Sequence, residues 1–482
     1  MAGMENNIFG REEEKIILQK LMASQKPEFL AVYGRRRVGK TFLINEFFEN
    51  RGLYFEIIGA RDEPAGIQLA RFSAELSRIF FNKEPATVPD NWDKAFQSLR
   101  DEIEKFRERE PSRKIILFFD EIPWLDSRKS GFLSSLDYFW NKYLSKNSSS
   151  NMILIICGSA ASWMLEKIIN NKGGLHNRLT QTIKISPFSL EETGKYLQSR
   201  QVFLEKKQIT DLYMCTGGVP KYLSYIEKGL SPAQIIDNLC FKKGGYLSNE
   251  FENLYSALFK NHAKHLAIIR TLAKTMKGLE KHQLLTAAKL SDGGSSTLVL
   301  KELESSDFIT GTPFYKKEKK SKFYRLVDEF SLFYLKWMES AGTRDILTGH
   351  WQKMMDKPAW KTWSGYAFEG ICFKHIQKIK AALGIAGVLT TESSWHGKGI
   401  QVDLVLDRAD QIIHLFEIKY YSNPWNIKKQ EAEKLNQRKA VFKEITGTRK
   451  TVFTTLLTTL GAENNPQYFA CVDQQLRLEN LF

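Results

Sequence analysis

Cysteine is scarce in this chain of 482 residues, and its five cysteines are scattered. They stand at positions 157, 215, 240, 372 and 471, without a C-x-x-C pair or a Cys/His cluster. We therefore expect no structural zinc site, because such sites use closely spaced cysteine and histidine ligands. Unclustered cysteines in odd number also fit a reducing compartment, so we expect a cytoplasmic protein.

Long apolar runs are missing as well. The longest, near residues 152–157, is far shorter than the roughly 20 residues that a helix needs to cross a bilayer. The first seven residues contain no apolar core of a secretory signal. We find no internal repeat and no extended low-complexity segment. These absences argue against a membrane protein.

Acidic residues are in deficit, with 55 Asp and Glu against 70 Lys and Arg, a formal charge of +15. Such an excess favours a polyanionic partner, although basic surfaces have other uses. The hydrophobic fraction of 43% is ample for globular cores. The length alone suggests about three domains.

A phosphate-binding pattern, G-x-x-x-x-G-K-T, lies near the N-terminus. It consists of Gly34, Arg35, Arg36, Arg37, Val38, Gly39, Lys40 and Thr41. An apolar run typical of a buried strand precedes it, and a segment with helical spacing follows. In this context the backbone amides and the helix N-terminus can bind phosphate oxygens. Lys40 is predicted to reach the β- and γ-phosphates and Thr41 to bind Mg²⁺.

A second apolar run, residues 115–119, ends in Asp120 and Glu121. Ligands of open α/β sheets bind at the carboxyl ends of strands, so both side chains are predicted to face the nucleotide. Asp120 would hold Mg²⁺ through water, and Glu121 would polarise the attacking water. A third strand, residues 152–158, is followed by Ser159, our candidate sensor of the γ-phosphate. Ser162 is the weaker candidate, and an ordinary strand-to-loop turn is the alternative for either serine.

Several further motifs show a family resemblance over about residues 8–230. They are F-G-R-E-x-E at residues 9–14, the P-loop, F-F-D-E at 118–121, C-G-S-x-x-S-W-M at 157–164, N-R-L-T at 177–180 and G-G-V-P-K-Y-L at 217–223. Together they resemble the archaeal and bacterial P-loop ATPases related to AAA+ and STAND proteins. The resemblance implies ATP as the nucleotide, a helical lid, and an uncharacterised C-terminal domain that looks nuclease-like.

The resemblance also implies roles for two later positions. Arg178 could act as an arginine finger, within its own subunit or in a neighbouring one, or could be an ordinary surface arginine. The G-G-V-P segment at residues 217–220 could couple nucleotide state to lid position, or could be a plain helix junction. Arg35, Arg36 and Arg37 could help to hold nucleotide or could be solvated.

The middle of the chain has the order of a winged helix. Helical periodicity covers His262–Lys274, Lys281–Lys289 and Ser295–Ser305, and two short strands follow. From Gly311 to Arg325 there are six basic residues and one acidic residue. A basic wing suits DNA phosphates, with Lys316–Lys322 on the backbone and helix 295–305 in a groove. The alternatives are a winged helix that contacts protein and a lysine-rich hairpin that is merely solvated.

The C-terminal part, about residues 345–482, resembles the PD-(D/E)xK nucleases. Its pattern consists of Glu369 on a helix, Asp403 on an alternating strand, and Glu417 and Lys419 on a second strand. Glu369, Asp403 and Glu417 are predicted to bind a metal ion, and Lys419 to position water and stabilise the phosphate. Val402, where such motifs often carry proline, is the one departure. The alternatives are solvated strand edges and a nuclease fold that binds without cutting.

The sequence thus predicts an α/β protein with four regions. They are a P-loop ATPase core (1–185) with a parallel sheet, a helical lid (186–250), a winged helix (251–340) and an α/β PD-(D/E)xK nuclease-like domain (341–482). The predicted activity is Mg²⁺-dependent ATP hydrolysis coupled to action on nucleic acid, DNA rather than RNA. The rivals are a nucleotide-operated switch that binds a protein partner, and a regulator that uses only the winged helix. Self-association remains open.

Overall fold

A computed structural model describes the chain at residues 8–81, 87–146, 151–170, 174–259, 261–276, 278–316, 322–341 and 349–482. It divides into two compact units, residues 1–186 and 187–482. We call them the first unit and the second unit. The finer domain boundaries within 187–482 stay a prediction.

The first unit is built on a five-stranded sheet in the order β2-β3-β4-β1-β5, and its pairings are all parallel. The predicted α/β fold with a parallel sheet is therefore confirmed. The strands are β1 (Glu28–Tyr33), β2 (Leu53–Ile58), β3 (Ile115–Asp120), β4 (Met152–Gly158) and β5 (Gln181–Lys184). Strands β3 and β4 are buried along their whole length, as their uninterrupted apolar sequences require. Because β4 lies between β1 and β3, the ends of these three strands meet at one edge of the sheet.

Helices cover both faces of this sheet, and two apolar clusters fill the space on its two sides. The helices are α1 (Glu12–Ala23), α2 (Lys40–Phe48), α3 (Ala65–Phe80), α4 (Trp92–Arg109), α5 (Ile122–Leu125), α6 (Phe132–Phe139) and α7 (Ala161–Trp163). The π-helical turns Trp140–Leu144 and Met164–Ile169 continue α6 and α7, and a 3₁₀ turn spans Gly174–Arg178. Asn91 caps α4 by accepting a hydrogen bond from the amide of Lys94 at 2.9 Å.

The second unit begins with helices that share one large apolar core with the rest of the unit. These helices are α8 (Leu190–Ser199), α9 (Lys206–Thr216), α10 (Pro220–Leu223), α11 (Pro232–Ile236), continued by the π-helical turn Asp237–Phe241, and α12 (Glu250–Leu258). Helix α8 begins at a full capping box, in which Ser189 and Glu192 bond each other's backbone amides. The Gly217-Gly218 pair ends α9, and Pro220 opens α10.

Three helices and a small antiparallel sheet follow, in the predicted order. The elements are α13 (Ala263–Thr275), β6 (Leu279–Glu280), α14 (Lys281–Ala287), α15 (Gly294–Ser305), β7 (Ile309–Pro313) and β8 (Lys322–Leu326), with the strand order β6-β8-β7. The helix and hairpin positions match the prediction, while the identification as a winged helix stays a prediction. Residues 317–321 of the predicted basic loop lie outside the described residues.

The C-terminal part contains a separate mixed sheet, in the order β13-β12-β11-β10-β9. Strands β9, β10 and β11 pair antiparallel, whereas β11, β12 and β13 pair parallel. The elements are α16 (Glu329–Phe333), continued by the π-helical turn Tyr334–Met338, α17 (His350–Met355), α18 (Pro358–Lys374), α19 (Ile376–Ala382), β9 (Thr390–Gly397), β10 (Ile400–Arg408), β11 (Ile412–Lys419), α20 (Lys429–Thr446), β12 (Thr451–Thr458), α21 (Pro466–Cys471), β13 (Gln474–Arg477) and the 3₁₀ turn Leu478–Leu481.

Within the described part of the chain, the structure contains no helix that is both long and apolar enough to span a membrane.

Candidate nucleotide site and C-terminal carboxylate site

The P-loop has the predicted strand–loop–helix context. Strand β1 leads into the loop, and α2 begins at Lys40 with Gly39 in the left-handed region (φ +90°). Gly34 also needs its missing side chain, because a Cβ there would lie 2.1 Å from the carbonyl oxygen of Ile185. The loop is thus held against the end of β5, with the N-terminus of α2 pointing to where phosphate would bind.

Lys40 and Glu121 are joined through Ser159. The ammonium of Lys40, which is 5% exposed, donates to the Ser159 hydroxyl at 3.0 Å and to the carbonyl of Arg35 at 3.0 Å. The Ser159 hydroxyl donates to Glu121, and its amide donates to Glu121 Oε2 at 3.2 Å. The structure therefore brings the predicted phosphate ligand, sensor and general base into one hydrogen-bonded chain. Ser162, the weaker sensor candidate, lies three residues further along the chain on α7 and is also buried.

Thr41 and Asp120 place two oxygen groups that could ligate a metal ion beside the loop. The Thr41 hydroxyl donates to Asp120 Oδ2 at 2.5 Å, and Asp120 is 2% exposed. Hydroxyl and carboxylate oxygens are the hard donors that Mg²⁺ prefers, and Mg²⁺ is usually held by one or two such groups together with phosphates. These two residues fit the predicted magnesium site.

The backbone is strained at two points of this site. Glu121 and Arg37 have φ values of +48° and +69°, which residues with a Cβ rarely adopt. The turn at Glu121 is supported by its amide, which donates to Asp120 Oδ1 at 2.8 Å. Strained backbone of this kind concentrates at functional sites, where the surrounding structure enforces it.

Arg11 belongs to the site, although we did not single it out from the sequence. Its guanidinium donates to the carbonyl of Val38 in the P-loop at 3.2 Å and to the carbonyl of Ser186 at 2.6 Å. It therefore ties the P-loop to the chain that follows β5. The F-G-R-E motif contains this arginine, but no local pattern indicates its distant partners.

For the other predicted positions of the first unit and the lid region, the structure gives their exposure or packing but does not test their proposed roles. Arg35 is buried within the loop, Arg36 is exposed, and Arg178 is exposed at the end of the 3₁₀ turn. The finger role of Arg178 stays a prediction. Gly218 has a clear structural role, since a Cβ there would lie 2.2 Å from the carbonyl oxygen of Phe188. A role of this junction in nucleotide coupling also stays a prediction.

The four residues of the C-terminal pattern are brought to one place in the second unit. Asp403 lies on β10 and Glu417 on β11. Continuing the register of these paired strands puts the two residues level with each other. Glu369 comes from α18, which packs against β11. Lys419 is bonded to Glu417 at 2.8 Å and also interacts electrostatically with Glu369.

Two arginines, however, occupy this cluster. Arg325 on β8 donates from Nη1 to Glu369 Oε2 at 3.2 Å and from Nη2 to Asp403. Arg438 on α20 donates to Glu417. Gln401 adds a further bond to Asp403 Oδ1 at 2.7 Å. The carboxylates that were predicted to ligate a metal ion are thus already paired with cations.

The electrostatics follow from burial and these pairings. Burial and the charge of Asp403 raise the pKa of Glu369 to about 8, although Arg325 opposes this shift. Burial also opposes ionisation of Glu417, but the charges of Arg438 and Lys419 outweigh it and lower the pKa of Glu417. The charge of Glu417 raises the pKa of Lys419 against the effect of burial.

In this arrangement the residues do not fit a metal ion. Among the residues that the structure describes, no group of three or more His, Cys, Asp or Glu side chains is placed to hold one. Glu369, Asp403 and Glu417 as metal ligands therefore stay a prediction, as do Asp403, Glu417 and Lys419 as catalytic residues. Arg325 and Arg438 were not foreseen, because nothing local in β8 or α20 marks a partner on another element.

A groove with about 340 Å³ of space runs between the hairpin and the C-terminal sheet. Its lining includes Phe314 and Phe323 from the hairpin side and Trp395, His396 and Gln401 from the sheet. Gln401 also bonds Asp403, so the groove adjoins the carboxylate cluster. The hairpin is fixed there because the amide of Tyr315 donates to the carbonyl of Ser394 at 3.0 Å.

The first unit combines a parallel sheet with the strand–loop–helix arrangement typical of P-loop nucleotide-binding proteins. The family described as "ATPase domain predominantly from Archaea" matches residues 8–226. This match supports the predicted P-loop ATPase class for these residues. The nuclease-like domain is not covered by that match.

Two proteins of Methanocaldococcus jannaschii are similar in sequence. The uncharacterized protein MJECL04 is 25% identical over 417 residues, which are 85% of this chain and 87% of that protein. The uncharacterized ATP-binding protein MJ0423 is 46% identical over 41 residues, which are 8% of this chain and 70% of that protein.

Solved structures also resemble the chain. The Walker-type ATPase PABY2304 of Pyrococcus abyssi is 18% identical, with a TM-score of 0.44, over 69% of this chain and 97% of that one. The ORC2 protein of Aeropyrum pernix, in ADPNP–ADP complexes, is 14% identical, with a TM-score of 0.46, over 73% of this chain and 98% of that one.

Proposed function

We propose that this protein binds and hydrolyses ATP with Mg²⁺ at the P-loop, and that it uses this cycle to act on nucleic acid through its second unit. The observation that carries the ATPase part is the chain Lys40–Ser159–Glu121 beside the Thr41–Asp120 pair. It joins the three residues that we propose as phosphate ligand, sensor and base.

The residues of the site divide the work of phosphoryl transfer. The amides of the P-loop and Lys40 hold the phosphates, and phosphate oxygens would replace the present Lys40–Ser159 bond. Thr41 and Asp120 would hold Mg²⁺, which neutralises charge on the phosphates when it is bound. When the Ser159 hydroxyl turns to the γ-phosphate, its hydrogen bond to Glu121 would break. Glu121 would then orient and polarise the attacking water.

The nucleic-acid part rests on charge and on the groove of the second unit. Helix α15 carries Glu302 and Glu304, which would repel phosphates, but both are engaged by partners within the unit. Glu302 bonds His265 at 2.7 Å, and Glu304 bonds Lys322 at 2.9 Å. The groove beside the hairpin has the size of a small-ligand pocket, and the exposed ring of His396 with the amide of Gln401 offers contacts that suit a nucleobase.

A second candidate function is a nucleotide-operated switch that binds a protein or DNA without cutting it. The arginines that occupy the carboxylate cluster favour this candidate, because cutting by this motif requires those oxygens for metal. Both candidates share the ATPase site.

Two assays separate the candidates: phosphate release, and cleavage of labelled DNA and RNA with Mg²⁺. Both are run on the wild-type full chain and on its Lys40→Ala and Asp403→Ala variants. We expect Lys40→Ala to lower ATP turnover by about 10²–10³-fold, because a preorganised cation at the phosphates is lost. Lys26→Ala, at an exposed lysine, is the control. Cleavage that Asp403→Ala abolishes would identify a nuclease, whereas binding without cleavage would support the switch. Unchanged turnover in Lys40→Ala would refute the ATPase site.

A further inference from the structure

A guanidinium group stands where the C-terminal pattern would place a metal ion. Arg325 donates to Glu369 at 3.2 Å and to Asp403 through separate nitrogens. Its side chain is only 3% exposed, so water screens these pairs weakly. The arginine therefore contacts both acidic side chains at once, in the position between them where a divalent cation would bind.

Arg325 comes from a different part of the second unit than its partners. It lies on β8 of the small sheet, whereas Glu369 lies on α18 and Asp403 on β10. The guanidinium also contacts the rings of Phe323 and Phe373, at 5.5 and 5.1 Å from the centroids. These ring contacts help to hold the guanidinium of Arg325, which the hairpin places beside the two acidic side chains.

The arginine is not held by all of its donors. Its Nε is buried and has no hydrogen-bond partner within the described part of the chain. A buried donor without an acceptor costs free energy. The two ion pairs with Glu369 and Asp403 must offset this cost to hold Arg325 in place. A guanidinium bonded to Glu369 Oε2 and Asp403 Oδ1 opposes metal binding by these carboxylates, because the two cations would repel each other.

We infer that Arg325 is a built-in counter-ion that closes the Glu369–Asp403 pair to divalent cations, so that this site binds metal only when Arg325 withdraws. The inference rests on the proposed role of the second unit and adds an internal control to it. The C-terminal site is latent in the conformation described here.

Metal binding by the nucleotide-free full chain tests this inference directly. We would titrate wild type, Arg325→Gln and the double variant Arg325→Gln/Asp403→Asn with Mn²⁺ and follow free Mn²⁺ by electron paramagnetic resonance. We expect Arg325→Gln to gain a site that binds Mn²⁺ at least about tenfold more tightly than wild type does. The double variant should lose that site. Arg270→Gln is the matched control, since Arg270 pairs with Glu252 and Glu339 on the surface of the same unit.

A comparison of wild type with Asp403→Asn does not depend on how well Arg325→Gln folds. Equal Mn²⁺ binding by these two proteins would support a closed site, whereas loss of a wild-type site in Asp403→Asn would overturn the inference. A folded Arg325→Gln that binds Mn²⁺ no better than wild type would overturn it too. Cleavage is not the readout, so a protein that never cuts DNA could still confirm the counter-ion.

Discussion

At the scale of single residues, Ser159 decides how the ATPase site is arranged. Its hydroxyl accepts from Lys40 and donates to Glu121, so one small side chain holds a cation and a carboxylate in place. Lys40 begins the helix that follows β1, Glu121 follows β3, and Ser159 follows β4, which lies between these two strands. A nucleotide that engages Lys40 would break this arrangement, and the predicted sensor role of Ser159 rests on that exchange of partners.

We predict that Ser159→Ala lowers kcat for ATP hydrolysis by about 10–100-fold, because hydrogen bonds to charged groups contribute about 1.5–3 kcal/mol. KM for ATP should change little, since the P-loop amides and Lys40 remain. Steady-state phosphate release over a range of ATP concentrations measures both constants. Ser162→Ala, at a buried serine three positions on, should stay within about threefold of wild type. Equal effects of the two substitutions would contradict the sensor role.

At the scale of elements, β8 connects two parts of the second unit through its opposite faces. Lys322 on one face bonds Glu304 of α15 at 2.9 and 3.0 Å. Arg325 on the other face reaches Glu369 and Asp403. Side chains alternate along a strand, and the odd spacing of these two residues sends them in opposite directions. Lys322, predicted as a backbone clamp, is thus engaged within the protein in this structure.

The hairpin lysines carry a prediction at the same scale. If the wing contacts DNA, neutralising Lys316, Lys317, Lys319 and Lys320 to glutamine should weaken binding and flatten its salt dependence. The slope of log K against log salt should fall by up to about 0.9 for each lysine that contacts a phosphate. Fluorescence anisotropy with duplex DNA at several salt concentrations gives this slope.

Four exposed lysines of the first unit, Lys94, Lys105, Lys129 and Lys142, changed to glutamine in the same way, form the control. They remove the same total charge from the chain. A slope that falls equally in both variants would mean that net charge, rather than the wing, governs binding.

At the scale of the whole molecule, the second unit joins regions that the sequence analysis kept apart. Tyr420 of the C-terminal region bonds Asp211 of the lid region at 2.7 Å. His375 accepts a hydrogen bond from the amide of Leu190 at 2.9 Å. Both contacts are buried, so the predicted lid and the predicted nuclease-like domain share one core.

His375 makes this unit sensitive to acid. Burial lowers the pKa of His375 to about 4, and its Nε2 must stay unprotonated to accept from Leu190. Burial and Arg408 likewise lower the pKa of His414 to about 4. The unfolded chain binds these protons near pH 6.5, so stability should fall as the pH drops from about 6.5 towards 4. Between about pH 7 and pH 5, each histidine should lower the free energy of unfolding by about 2 kcal/mol.

Chemical unfolding at about pH 7 and pH 5 checks this prediction. His375→Gln should lose roughly half of the pH dependence that the two histidines cause, whereas His282→Gln, at an exposed histidine, should keep all of it. Equal pH dependence in wild type and His375→Gln would contradict the assignment.

Local patterns along the chain were sufficient to predict the fold class of the first unit and the residues proposed for its site. The P-loop is contiguous, and Asp120 and Glu121 end an apolar strand, so local patterns and the rule for parallel sheets predict their meeting place. The helices and strands of the middle segment, and the C-terminal pattern of carboxylates and lysine, also lie where periodicity put them. Their identification as a winged helix and a nuclease-like domain remains a prediction.

Which charged side chains meet became evident only from the packing of elements that lie far apart along the chain. The Lys40–Ser159 bond joins residues 119 positions apart, and the Arg325–Asp403 pair joins residues 78 apart. Arg11 on the P-loop spans 27 positions. Such pairings depend on which elements pack together, and no local pattern in β8 or α20 indicates a carboxylate partner. The physical reason is that electrostatic contacts follow distance in space, whereas motifs follow distance along the chain.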